Sequence, residues 1–160
     1  MLIFSHYARL GYITAIVIII ADQSSKWWIF EKIMQPPRII NVNEYFYLVL
    51  TWNNGISFGL FNNDNEINAL IISLIAAVII IFLMRLLSKS KSRKLSIGLG
   101  MIIGGAIGNV IDRSIYGAVM DFLDFHINVY HWPAFNIADS GITVGALILV
   151  FDSLFSQRKN

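Results

Sequence analysis

The stretch INALIISLIAAVIIIFLM, Ile67 to Met84, runs for eighteen residues without a charge. At about 1.5 Å of rise per residue it is close to the ~30 Å thickness of a bilayer's hydrocarbon core, so it predicts a transmembrane helix. The rest of the chain supports that solvent. Of 160 residues, 56% are hydrophobic and only 14% are charged, where a soluble domain carries roughly a quarter charged. Mean hydropathy is +0.65. The length suits one domain, residues 1–160.

Working outward, Arg85 to Lys94 holds five basic residues and no acidic one, and Leu95 to Ile111 is again uncharged. That third run has glycines at 98, 100, 104, 105 and 108. The spacings 100/104 and 104/108 let helix backbones approach closely in lipid, as does Gly141/Gly145 in a fourth run that begins near Asn136. On the other side, Leu10 to Phe30 is apolar except for Asp22 and Lys26 in its outer half. Arg9 before an apolar run resembles the start of a cleavable leader, but Ile19 and Ala21 make a poor cleavage site, so an uncleaved first helix is expected. The fold class is therefore membrane α-helical, with four spans at about 10–30, 67–87, 95–113 and 136–156.

Residues 36–62 read as a small β-rich unit against the membrane surface. Pro36 and Pro37 stop the first helix. Tyr45 to Trp52 is aromatic and β-branched but too short to span. Asn53-Asn54-Gly55 offers turn chemistry before a return strand at Ile56 to Phe61. Arg9, the basic residues of 85–94, Arg158 and Lys159 make eight of the twelve Lys and Arg residues. The positive-inside bias then puts both termini in the cytoplasm and segments 31–66 and 113–135 outside. Trp27, Trp28, Trp52 and Trp132 fit an outer aromatic belt.

The net charge of +2, with no basic patch interleaved with aromatics, excludes a nucleic-acid partner. With no cysteine, thiol nucleophiles and disulfides are excluded. No serine–histidine motif, phosphate loop or dinucleotide fingerprint is present. His126 and His131, beside Asp124, have weak spacing for zinc and read as surface histidines, so no metal or other cofactor is expected.

The acids remain. Asp112, Asp121, Asp124 and Asp139 gather around the outer ends of the last two spans, where burial of a carboxylate is costly and suggests function. Two carboxylates within hydrogen-bond reach share a proton and can activate water. The same acids also fit neutralisation of Arg113 and Lys26, or the lining of an ion path. Asn109, Asp112 and Arg113 share a helix face, and Asp22 and Lys26 form an i, i+4 pair.

The pattern of motifs resembles bacterial lipoprotein signal peptidases, the signal peptidase II family. The matching blocks are DxxSK (Asp22–Lys26), NNGISF (Asn53–Phe58), GGAIGNVIDR (Gly104–Arg113), VMDF (Val119–Phe122) and FNIADS (Phe135–Ser140), in family order from first span to last. The resemblance implies an aspartic endopeptidase of the bacterial cytoplasmic membrane. It would act as a monomer among membrane lipids, cutting diacylglyceryl-modified prolipoproteins just before the lipidated cysteine. It implies Asp121 and Asp139 as the catalytic pair, with Asn53, Gly55, Asn109, Arg113, Asn136 and Ala138 in substrate-binding or supporting roles and Asp22 and Lys26 among the supporting residues, which their spacing reads as a structural polar pair. Asp124 falls outside the motif. The competing class is a small transporter or channel subunit that uses the acids as a proton relay; a structural or lipid-binding membrane protein is a third.

Overall fold

The computed structural model describes residues 6–55 and 66–156. Among them are four helices long and apolar enough to cross a membrane. These are α1 (His6–Trp28), which runs on through a π-helical turn at Ile29–Ile33, α2 (Glu66–Ser88), α3 (Arg93–Tyr116) and α4 (Ile137–Ser156). The helices extend past several of the expected limits because hydropathy stops at the first charge while backbone hydrogen bonding does not. Ser92 opens α3, its hydroxyl accepting from Leu95 N, and Gly117 closes it at φ 72°, with its N–H donating to the Arg113 carbonyl. That left-handed conformation suits glycine, which has no Cβ to clash.

The third helix is the centre of the bundle, packing on α1, α2 and α4. Its glycines form two stripes. Gly100 and Gly104 face α1: a Cβ on Gly100 would run into the Gly11 carbonyl oxygen, and one on Gly104 would lie 2.6 Å from the Ala15 carbonyl. Gly98 and Gly105 face α4, where a Cβ on Gly105 would collide with the Ala138 carbonyl. Between lipid-bathed helices there is no water-driven apolar association, so close backbone contact of this kind carries the packing. Ala15, Ile80, Leu87, Leu99 and Ile103 fill the remaining space between α1, α2 and α3.

The β-rich unit departs from the expectation. It contains β1 (Ile40–Asn43) and β2 (Phe46–Asn53), but its sheet continues with β3 (Val119–Ile127) and β4 (Tyr130–His131) from the connector before α4, in the order β1-β2-β3-β4. All neighbouring strands are antiparallel, with Asn53 opposite Val119 and Thr51 opposite Asp121. Within the described residues, β2 thus pairs with β1 and β3. The return strand expected at Ile56–Phe61 lies outside them. The connector turns at Asn128 (φ 54°), and Phe135 pairs with Leu123 on the way back to α4. Met120 and Phe122 pack with Ile29 and Met34, which ties β3 to the end of α1.

The glycine stripes make a graded prediction. At Gly100 the added methyl meets backbone, which cannot yield, whereas at Gly141 its nearest neighbour is the Ile18 Cγ2 at 3.1 Å. Gly100→Ala should cost about 1–3 kcal/mol or more, and Gly141→Ala distinctly less, as read by thermal unfolding in micelles. Equal losses at the two sites would contradict the packing.

Candidate active site

The register of β3 against β2 puts Asp121 among donors. Asn53, at the end of β2, accepts the Gly55 N–H through its Oδ1 at 3.0 Å, a local turn that fixes the orientation of its amide. The amide nitrogen of Asn53 then donates to Asp121 Oδ2 at 3.1 Å. Asn136 Nδ2 donates to the other oxygen at 2.7 Å. Asp121 is 2% exposed.

Asp139 comes to the same place by a helix cap. Asn136 directly precedes α4 and its Oδ1 accepts from Asp139 N at 2.9 Å, while the Asn136 N–H donates back to Asp139 Oδ2 at 3.3 Å. This reciprocal capping box satisfies two helix-end donors and holds the carboxylate at the positive end of the helix dipole. Asn109 Nδ2, from α3, donates to Asp139 Oδ1 at 2.8 Å. Asn136 therefore touches both acids, one through its side-chain amide and one through its backbone.

Behind the pair lies a buried ionic cluster. Asp22 and Lys26 form the expected i, i+4 bridge at 2.8 Å, and Lys26 Nζ makes a second at 2.8 Å to Asp112. Its third contact is Asn109 Oδ1 at 3.4 Å. Gln23 Nε2 donates to both carboxylates. Each carboxylate also accepts a backbone N–H: Asp22 Oδ1 from Ala138 at 2.9 Å, and Asp112 Oδ2 from Met120 at 3.1 Å. Asp112 is not among the site residues that the motif resemblance implies. Its shared face with Asn109 is the available signal in the sequence, but nothing local connects it to Lys26.

The other expected residues divide. Asn53, Asn109 and Asn136 all meet the two acids, and Ala138 contributes its N–H and a close approach to α3. Arg113 and Gly55 meet each other, with Nη2 donating to the Gly55 carbonyl at 2.8 Å. The buried Nε of Arg113 has no hydrogen-bond partner among the described residues. His126 corrects the surface reading: it is 6% exposed and packs edge-on to Tyr47 because β3 carries it inward. Asp124 pairs with His131 at 2.9 Å, away from the two acids. No group of three or more His, Asp or Glu side chains among the described residues is placed to hold a metal ion.

Burial pushes the Asp121 carboxyl up to about 7 from its ordinary value near 3.8, and the negative charge of Asp139 adds to the rise. The amides of Asn53 and Asn136 and the charge of Lys26 oppose it. Two carboxyl groups in this setting can hold one proton near neutral pH, which provides a base and an acid side by side.

A family model described as signal peptidase (SPase) II matches residues 14–155. The chain is 43% identical over 150 residues to a lipoprotein signal peptidase of Nitrobacter hamburgensis, covering 91% of this chain and 92% of that one. It is 41% identical over 154 residues to one of Francisella tularensis subsp. novicida, covering 93% and 94%. Among solved structures, a bacterial membrane enzyme determined by the in meso method at 2.3 Å resolution superposes with TM-score 0.81 at 27% identity, covering 94% of this chain and 91% of its own.

The raised Asp121 value has a definite sign. Between about pH 4 and 7 the folded chain keeps a proton that the unfolded chain has released, so this group favours folding most at low pH and the benefit fades as pH rises through 7. Asp121→Asn removes the titration. The melting temperature of the unsubstituted protein should therefore fall relative to that of the variant between about pH 5 and 8. A difference independent of pH would refute the assignment.

Proposed function

Because the chain belongs to the signal peptidase II family, we propose that it removes signal peptides from diacylglyceryl-modified prolipoproteins with Asp121 and Asp139 as an aspartic catalytic pair. The observation that carries this reading is the single asparagine, Asn136, bonded to both carboxylates in a buried setting. Peptidase activity on prolipoproteins and the multi-pass membrane fold follow from the family. The catalytic type, the cut just before the lipidated cysteine and the orientation belong to the proposal.

In the mechanism, the ionised member of the pair takes a proton from water as the water oxygen bonds to the scissile carbonyl carbon. The protonated member donates to the carbonyl oxygen. When the tetrahedral intermediate collapses, the C–N bond breaks and the leaving amine takes a proton from the pair, which restores one proton between the two acids. No separate resting role is assigned to either acid, since they titrate together.

The supporting residues surround the pair. The amides of Asn53, Asn109 and Asn136 are directed at the carboxylates, so they orient the pair as well as line the place of the peptide. Arg113 Nε remains a buried donor for a substrate carbonyl, beside the Gly55 backbone. Both termini are assigned to the cytoplasm and the acids to the outer face, with the lipid chains of the substrate left in the bilayer. The enzyme is assigned as a monomer.

Purified protein with a diacylglyceryl-modified precursor tests the reading. Asp121→Asn and Asp139→Asn should each lower turnover by at least about 10²-fold while the melting transition is retained. Asp124→Asn, which disturbs only the His131 pair, should keep most of the activity. Near-normal turnover in either of the first two variants would sink the dyad and leave a peptidase of another catalytic type.

A further inference from the structure

We infer that the buried cluster Asp22–Lys26–Asp112 sets the separation of the two acids, with Asp112 a positioning residue for Asp121 and Asp22 its counterpart for Asp139. The inference rests on the reading of Asp121 and Asp139 as the catalytic pair. Its geometry is independent of that reading. Met120, whose N–H donates to Asp112, directly precedes Asp121, and Ala138, whose N–H donates to Asp22, directly precedes Asp139. The two accepting carboxylates are clamped to one ammonium, each at 2.8 Å. Strand β3 and helix α4 are thus referenced to the same atom, Lys26 Nζ, through one carboxylate each. A third route runs from Lys26 to Asn109 Oδ1, whose amide nitrogen donates to Asp139.

A purely structural role explains this arrangement less well. Asp22, Lys26 and Asp112 are 0%, 5% and 2% exposed. Burying charges of this kind gives little net stability compared with apolar side chains of similar volume. What apolar side chains lack is direction: they cannot hold a backbone N–H in one place by a bond aimed at it. A peptidase pair needs that, because displacing a reacting group by about 1 Å can cost on the order of 10²-fold in rate.

The cluster also has an electrostatic consequence, since two carboxylates against one ammonium leave one negative charge behind the pair. The charges that act on Asp121 are those of Asp139 from α4, Lys26 from α1 and Arg113 from α3; Asp22 and Asp112 stand against Lys26, and Asp124 and His126 lie on its own strand. Asp112→Asn keeps an oxygen for the Met120 N–H but leaves the Lys26 ammonium, whose charge lowers the Asp121 value, less neutralised, so Asp121 should ionise at lower pH.

The experiment compares Asp112→Asn and Asp22→Asn with the unsubstituted protein on the diacylglyceryl precursor, each per mole of folded enzyme. We expect kcat to fall by about 10- to 100-fold with KM little changed, and the alkaline limb of the kcat profile to move to lower pH. Lys26→Arg, which keeps the charge, should retain more activity than Lys26→Met. If kcat per folded molecule and the pH profile are unchanged in both Asn variants, the cluster is only packing and the inference falls. That outcome is distinct from failure of the catalytic reading, in which Asp121→Asn and Asp139→Asn themselves remain active. Should one Asn variant not fold, the other and the two Lys26 variants decide, and equal activity of Lys26→Arg and Lys26→Met would overturn the inference.

Discussion

How closely α1 and α4 approach α3 governs everything that meets at the two acids. Lys26 lies on α1, Asn109 on α3 and Asn136 at the head of α4, and these groups reach one another only because the backbones between them nearly touch. The Asn136 amide donates to Asn109 Oδ1 at 3.3 Å, and Lys26 Nζ reaches the same oxygen at 3.4 Å. Glycine at 100, 104 and 105 is what brings the three backbones so near. A larger side chain at any of these positions would push a helix outward and lengthen every bond in the cluster at once, so the packing of small residues and the polar chemistry form one constraint.

The polar groups are bearable there because none is left to the lipid alone. Each carboxylate accepts from at least two donors, and the donors come from α1, α3, β2, β3 and the cap of α4. Burial then has a useful side. It holds the Asp121 proton into the neutral range, where a carboxyl in water would already have lost it. The sheet contributes by supplying Asn53 and by closing over Met120 and Phe122, which keeps this end of the bundle packed.

Much of this is legible in the sequence, and the boundary has a physical basis. Uninterrupted apolar runs reveal the spans, since lipid demands them, and the strand at Phe46–Asn53 is visible in its aromatic and β-branched composition. The i, i+4 relation of Asp22 to Lys26 is visible because it is local. By contrast, the contribution of β3 to the sheet is hidden: Val119 to Ile127 is buried along its first four residues and shows no clean alternation. The role of Asp112 is hidden as well. Its partners lie on other elements, and its counterpart's bond, from Ala138 to Asp22, spans 116 residues. The convergence of Asn53, Asn109 and Asn136 comes from motif resemblance, and only the geometry reveals that their amides point at the acids.

The cap of α4 restricts what evolution or an engineer can write at one position. As a helix cap alone, Asn136 would exchange readily with serine, threonine or aspartate. Its amide nitrogen, however, also donates to Asp121, and none of those three offers a donor of that reach without a new charge or a shorter arm. A position that would otherwise accept several letters therefore accepts one, because a single side chain must accept from one acid's backbone and donate to the other acid's carboxylate.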